Sequence, residues 1–494
     1  MTQTQIDLVE NSPKRKAYRV NLDHEFYGSF AEIGAGQDVA NNFFEAGGAS
    51  RTIAKTMSAY DMVFSDSIYG GEVSGRYVSE SRLKKMLEHE YKLLEERLRG
   101  QRKDTCFFAF ADTVTTIDFK GTRPGHAWMG CRFQSNPDLP PNELVIHIRL
   151  KEPEKLMQHK SLGAMGVNVV YACRFLAHNP EAMMNSLMDN LSWNKLEVDM
   201  FRLSGPAFEG IDNRLMALKL VKNGLTDATM FLPNGDVIQA ADLLYKKNVL
   251  IFRSRFKPIT LLSVDMAINA MRDFIAQPDI EEDSTEIISE LTLNNLRESD
   301  KDIDELDFLS RADILCSLGQ TVMISNFKEH YVLSKYVTQH YTRQKVGIVM
   351  GMPSLIELMN EKAYTHLQGG VFEALSRLFT NQTTVYIYPM INALGEVVTL
   401  QNLTMPDNIH GLYDYLKTNG KIIDLKGYNP KLLYIKADEV LKMLQSGNPQ
   451  WERYVPVYVA NIIKEKQVFG FKKIPDVLLE ENVAEETPVE EKAV

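Results

Sequence analysis

The strongest constraint on what this chain can fold into is a strand–helix alternation between Arg311 and Phe471. An apolar strand, TVMIS (321–325), leads into a helix through Tyr341, and VGIVM (346–350) runs through Gly351-Met352-Pro353-Ser354 into the helix SLIELMNEK. Another helix follows Gln368-Gly369-Gly370, and TVYIYPM (384–390) closes the series. Apolar strands separated by helices predict a doubly wound (Rossmann-like) parallel sheet with covering helices. Ligands of such sheets bind at the carboxyl ends of the strands. Ser325, Asn326, Gly351 and Ser354 are therefore candidate ligand-binding residues. With TVMIS and VGIVM as adjacent strands, both turns would lie on one edge, and free N–H groups near Ile356 would favour an anion.

The second feature is a glycine-rich stretch, Phe26 to Gly75, in which glycines at 28, 34, 36, 47, 48, 70, 71 and 75 are interleaved with Glu32, Gln37, Lys55, Asp61 and other polar groups. Glycine lets backbone turn with positive φ or approach a ligand closely. Gly34-Ala35-Gly36-Gln37 would turn the chain into a helix carrying Val39, Phe43 and Phe44, with N–H groups free for an anion. The dinucleotide fingerprint fails because Val39 stands at its third glycine. The phosphate loop fails because Gly48 lies seven residues before Lys55. Gly34, Gly36, Gln37 and Gly48 are candidate ligand contacts, and Lys55 and Asp61 candidate catalytic groups. Gly47-Gly48 reads equally as a tight turn or helix crossing.

Between these regions the chain reads as a mixed α/β domain. Arg82–Arg99 has helical apolar spacing, and CFFAFAD (106–112) is a buried strand ending on Asp112, a candidate catalytic carboxylate. The loop GTRPGHAWMGCRF offers Arg123 as an anion contact and His126 as an acid–base group, against a structural reading of the histidine. His147, in the alternating strand ELVIHIRL, reads as core, surface or cross-strand. Gly163-x-x-Gly166 in the helix 153–178 permits close packing. Glu197 and Asp199, two apart on a strand, could face a cation. Asp212 reads as a helix N-cap, and Pro233–Asp236 as a hairpin turn.

Of the 494 residues, 44% are hydrophobic and 24% charged, an ordinary globular balance. The net charge of −10 is concentrated: Asp279–Asp307 holds twelve acids against two bases, and Asp476–Val494 seven against Lys492. The remainder is mildly basic, suited to an anionic small molecule and too weak to argue for nucleic acid. The expected organisation is a polar arm (1–25), a glycine-rich α/β domain (26–278), an acidic linker (279–310), a Rossmann-like domain (311–475) and a disordered acidic tail (476–494). The first residues carry no apolar secretory core, no run approaches a membrane span, and the four cysteines are scattered. A cytoplasmic setting is expected, and neither cofactor nor metal is specified.

The segments FYGSFAEIGAGQ, AGGASRTIAKTMSAYD, EVDMFRLSGP, DNRLMALKLVKNGLTDA and GQTVMISNF resemble, across most of residues 20–475, a family of soluble bacterial proteins of similar length without established function. That family carries two conflicting names, nicotinate-nucleotide adenylyltransferase and TonB-dependent receptor. The first would bring [HT]-x-G-H after the first strand and a late S-[ST]-x-x-R. This chain has only Thr122-Arg123-Pro124-Gly125-His126, one residue too long and far from an N-terminal strand. The second would need an outer-membrane barrel, whose short alternating strands are lacking. The resemblance leaves nucleotide handling as a hypothesis. An enzyme acting on a nucleotide or phosphorylated metabolite is expected, with a non-catalytic homo-oligomeric scaffold as its rival.

Overall fold

The computed structural model describes residues 11–73, 75–121, 124–297, 302–380 and 382–472. The chain divides by its contacts into two units, one running to Ala240 and including Ile324–Asn326, the other made of Ala241–Met323 and the chain from Phe327 onward. The expected α/β class holds in both.

The first unit is built on β1 (Phe26–Gly34), β2 (Ile53–Ala59), β3 (Cys106–Thr115), β4 (His126–Phe133), β5 (Asn142–Leu150) and β6 (Leu196–Ser204), in the order β2-β1-β3-β4-β5-β6. β1 runs parallel to β2 and β3, because helical crossovers separate them, and β3 to β6 follow as antiparallel neighbours. This is the mixed sheet expected of the N-terminal part. Alternation sends Phe30, Phe108, Phe110, Met129 and Ile146 to one face, where they form the main core with α1 (Pro13–Asn21), α2 (Asp38–Ala46) and α5 (Lys155–Phe175). The other face carries Phe107 and Ala109 under Tyr91 and Leu94 of α4 (Glu80–Leu98), with α3 (Met62–Tyr69) preceding it. α5 crosses α2 closely: a Cβ on Gly166 would collide with Val39, and one on Gly163 with Asn42. The small-residue pair therefore serves packing inside this chain.

The expected polar arm is corrected over its described part. Residues 13–21 form α1, with Ala17 and Val20 in the core and Lys16 buried. The Lys16 Nζ is satisfied by Asn168 Oδ1 at 2.9 Å and Asp189 Oδ2 at 2.6 Å, which lets a charged residue point inward. The hairpin of β7 (Ala228–Phe231) and β8 (Val237–Ile238) forms around Pro233–Asp236, and Asp212 caps its helix by accepting from Arg214 N.

In the second unit the strands are β9 (Asn248–Arg253), β10 (Thr285–Thr292), the greater part of β11 (Thr321–Ser325, whose last two residues group with the first unit), β12 (Val346–Gly351), β13 (Thr383–Tyr388), a small ribbon of β14 (Met390–Ile391) and β15 (Val397–Val398), and β16 (Ile422–Asp424). They lie in the order β16-β13-β12-β9-β10-β11, with β9–β10, β9–β12, β12–β13 and β13–β16 parallel. Counted along the chain this is the doubly wound order 3-2-1-4-5-6, whose switch point lies between β9 and β12.

Three expectations change here. The Rossmann-like sheet opens at Asn248, not after 311, and the division between units falls at Ala240. The stretch 279–310 is not simply a linker: Thr285–Thr292 is β10, an internal strand. Glu290 is paired bidentately with Arg253, and Asp307 with Lys257 and Arg311, so for these acids the composition misread paired charge as solvated charge. Finally, β11 and β12 are not neighbours, since β9 and β10 lie between them. The tail from 476 lies outside the described residues.

Candidate functional site

The most developed polar constellation stands on β4, β5 and β6 of the first unit. His126 opens β4, and its neighbour Trp128 pairs with His147 on β5. On β6 the ladder slips: His147 pairs with Met200 and Ile148 with Val198, leaving Asp199 in a bulge. A bulge re-aims its side chain, and here it delivers the Asp199 carboxylate to His147. Asp199 Oδ1 lies 2.5 Å from His147 Nδ1, and His147 Nε2 lies 3.1 Å from His126 Nδ1. Gln239 Nε2 donates to the second Asp199 oxygen at 3.4 Å, and the Asp199 carbonyl accepts from Thr229 Oγ1. The Trp128 ring stands 4.9 Å from that of His147 and fixes its plane from the side.

The chain of bonds sets the tautomers. A carboxylate only accepts, so His147 Nδ1 carries the proton shared with Asp199. When His147 carries that single proton, its Nε2 accepts from His126 Nδ1 and the lone pair on His126 Nε2 is left as a base; a His147 charged against Asp199 would instead donate from Nε2 and reverse the His126 tautomer. Burial, then the neighbouring His147 and the positive charge of Arg76, push the His126 pKa down to about 4 against the pull of Asp199. Burial pushes Asp199 upward, but its bond and proximity to His147, with Arg149 and Gln239, hold it below the usual carboxylate range. The result is a deeply buried carboxylate and histidine (each 3% exposed) supporting a half-buried neutral imidazole. Such an arrangement can take a proton from a hydroxyl or water and return it.

Glu197 and Asp199 do not form a cation pair. Glu197 is neutralised by Lys151 at 3.1 Å and Arg149 at 3.4 Å and accepts from Thr226 Oγ1 at 2.6 Å. Among the described residues no cluster of three or more His, Cys, Asp or Glu side chains is arranged to hold a metal ion.

The other face of the same sheet holds a different polar cluster. Glu32 on β1 stands opposite Asp112 on β3 in the parallel register. Both are buried, and neither Asp112 oxygen has a side-chain partner among the described residues; the Ile33 backbone N–H is near enough to favour its charged form. Glu32 Oε1 accepts from Val39 N at 3.0 Å and Ala40 N at 3.4 Å. The turn at Gly34–Gln37 thus does lead into a helix whose N–H groups meet an anion, and the anion is the protein's own Glu32. Gly34 takes φ +81°, and a Cβ on Gly36 would run into the Asp112 carboxylate. Burial, against those two backbone bonds, raises the Glu32 pKa to about 7. Burial and the nearby Glu32 push Asp112 well above its ordinary value. Each carboxylate thus raises the cost of ionising the other.

The remaining expected site residues scatter. Asp112 and His126, both expected to be catalytic, sit on opposite faces of one sheet, since Asp112 shares the core face with Phe110 and Val114, two residues away on either side, whereas His126 is next to Ala127 of the core and so points to the other face. Lys55 is carried to the α4 side by a bulge in β2, where its Nζ pairs with Glu90 Oε2 at 2.6 Å. Tyr69 OH donates to the other Glu90 oxygen at 2.9 Å. Asp61 is the N-cap of α3, accepting from Phe64 N at 2.8 Å. Gln37 precedes α2 without capping it by side chain, and Gly48, at φ +80°, turns the chain between α2 and β2. Arg123 lies outside the described residues. Ser325 and Asn326 group with the first unit, and Gly351 and Ser354 with the second. The four positions lie at or just after the ends of β11 and β12, which are not neighbouring strands because β9 and β10 lie between them, so the expected adjacency of the two turns does not hold. Sequence reasoning left His147 undecided and gave Glu32 no role. The only signal for His147 was a histidine between two isoleucines of an alternating strand.

No protein-family model matches the chain, and no curated protein matches it. Solved structures give distant likenesses. Nicotinic acid mononucleotide adenylyltransferase of Plasmodium falciparum, complexed with APC, is 14% identical, with a TM-score of 0.28 over 46% of this chain and 98% of its own. The competence/damage inducible protein CihA from Agrobacterium tumefaciens is 16% identical, with a TM-score of 0.22 over 31% and 88%. A CinA superfamily protein of Klebsiella pneumoniae is 12% identical, with a TM-score of 0.24 over 35% and 95%. Likenesses of this size carry no argument about function.

Proposed function

We propose that the first unit is an acid–base enzyme for an anionic small molecule, a nucleotide or phosphorylated metabolite, with His126 as the catalytic base. The observation that carries this reading is the hydrogen-bonded chain Asp199–His147–His126, which runs from a fully buried carboxylate to a half-buried imidazole. His147 and Asp199 are positioning residues. They hold His126 Nε2 unprotonated, and burial keeps the ring neutral at pH 7. The chemistry is proton removal from a hydroxyl or water, whose oxygen bonds to an acyl or phosphoryl centre while the bond from that centre to its leaving oxygen breaks; the His126 imidazolium then returns the proton to the leaving group. Arg76, close enough to act on His126 electrostatically, favours an anionic substrate over a cationic one. No described helix is long and apolar enough to cross a membrane.

A screen of nucleotides and phosphorylated metabolites by thermal shift, followed by turnover of each stabilising compound, tests the reading. His126→Ala is expected to keep its fold and lose about 10²–10⁴-fold in turnover. Equal turnover in wild type and His126→Ala for every ligand found would refute it.

A second reading, nucleotide binding by the second unit, is favoured by its strand order alone. Its first strand-to-helix turn, Arg253-Ser254-Arg255-Phe256-Lys257-Pro258, is basic rather than glycine-rich. Those cations already have partners: Arg253 pairs with Glu290, Arg255 with Asp438 and Lys257 with Asp307. The scaffold reading rests on Gly47-Gly48 and α4 as packing elements, and of these α4 packs on Phe107 and Ala109 within the chain.

A further inference from the structure

The second unit contains a cavity of about 200 Å³ that the proposed chemistry does not use. It arises where the helix Leu261–Ile275 leaves the sheet. That helix is apolar along most of its length, yet only Asn269, Ala270 and Phe274 are buried in it. Phe274 and Ala270 close one side against Leu250 and Val349. On the other side Met266, Ala267 and Met271 look into open space toward β10. β10 shows the same gap from below. It is an internal strand, but Ile287 is only half-buried while Ile288 beside it is fully covered. The cavity is walled by Phe252, Phe256, Leu315 and Leu318 and is open on one side, where Tyr458, 40% exposed, stands at its rim.

We propose that this cavity is a binding site for a neutral, flat, mostly apolar ligand of one or two rings carrying one hydrogen-bond acceptor. Size fixes the number of rings: a dry cavity of about 150 Å³ lined by aliphatic and aromatic side chains accepts benzene, and this one is larger by about a third. Charge fixes the neutrality, because no lining residue is ionisable near neutral pH and an ion would enter without a partner. The acceptor follows from Gln320. Its Oε1 accepts from Ser289 Oγ at 3.3 Å, and its Nε2 has no hydrogen-bond partner among the described residues. Two methionines on the helix supply a deformable wall suited to rings. This site is independent of the His126 chain, so failure of either proposal leaves the other standing.

Calorimetric titration of the full chain with quinoline, which has two rings and one acceptor nitrogen, is the test, with 2-naphthoate as the charged probe of similar size. Quinoline is expected to bind with a dissociation constant below a few millimolar and a negative heat-capacity change. 2-Naphthoate is expected to bind at least tenfold more weakly. Ala267→Phe fills the cavity and is expected to abolish quinoline binding while the thermal transition remains cooperative. Should that variant fail to fold, Gln320→Leu, at the rim, is expected to weaken quinoline at least threefold and to leave naphthalene unaffected. No heat with quinoline, equal binding of 2-naphthoate, or unchanged quinoline binding in a folded Ala267→Phe or in Gln320→Leu would overturn the proposal.

Discussion

The two faces of the first sheet bury ionisable groups in opposite ways. On the α4 face, Asp199, His147 and His126 are joined by hydrogen bonds, and the bonds lead outward to a half-buried ring. On the core face, Glu32 and Asp112 are closed in beneath α2, and Asp112 has no side-chain partner among the described residues. The difference appears in what each face does with a proton. The first chain favours a deprotonated carboxylate and a neutral base, because each group has a partner suited to that form. The second pair favours protonation, because two carboxylates without counter-ions cannot both be charged at such short range. One arrangement is fit to exchange protons with a substrate, the other to hold one.

The two therefore push stability in opposite directions with pH. Glu32 has a folded pKa raised to about 7 from 4.5. The folded state binds the extra proton, so its contribution is present below about pH 4.5 and is lost as pH rises to 7. His126 is lowered from 6.5 to about 4. Its contribution is present above about pH 6.5 and is lost as pH falls to 4. At about 1.4 kcal/mol per pK unit each amounts to about 3 kcal/mol, and between pH 4.5 and 6.5 they partly cancel.

Breaking the closed pair should give the largest effect. Gly36→Val forces side-chain atoms into the Asp112 carboxylate and is expected to cost 3 kcal/mol or more, roughly the upper end for overpacking. Combining it with Asp112→Ala should recover part of that loss in a denaturation cycle, which a purely backbone effect would not. Glu32→Gln comes next. Its carboxamide oxygen can keep the Val39 and Ala40 bonds. The variant is expected to remove the Glu32 contribution, so that stability falls less with rising pH than in the wild type, while buried Asp112 keeps its own raised pKa and its own share of that fall. Asp199→Asn on the opposite face is expected to cost about 2 kcal/mol, in the range for a lost charged hydrogen bond, and to shift the acid limb of any turnover profile. Asp61→Ala removes only a helix cap, costs about 1 kcal/mol and should leave turnover unchanged, although the sequence offered Asp61 as a catalytic group.

Much of the fold could be read from sequence because it is written locally. TVMIS, VGIVM and TVYIYPM are strands, the turn after Gly34 does start a helix, and the α/β alternation is present. What escaped depends on pairing between distant segments. Nothing near Asp199 says that β6 slips by one residue against β5, yet that slip joins Asp199 to His147. Nothing near Thr285 says that an acid-rich segment will lie inside a sheet with Arg253 and Lys257 waiting for its charges. The same limit separated β11 from β12: their order depends on β9 and β10, one of which was assigned to the wrong domain and the other to a linker.

The central claim is that Asp199 and His147 hold His126 neutral with its Nε2 free. Nitrogen-15 NMR of the imidazole rings across a pH titration addresses it directly. At pH 7 His126 should be protonated on Nδ1 only, and it should titrate near pH 4. Asp199→Asn should disturb its tautomer. A His126 that titrates near 6.5, or that carries its proton on Nε2 at pH 7, would contradict the claim and remove the proposed base.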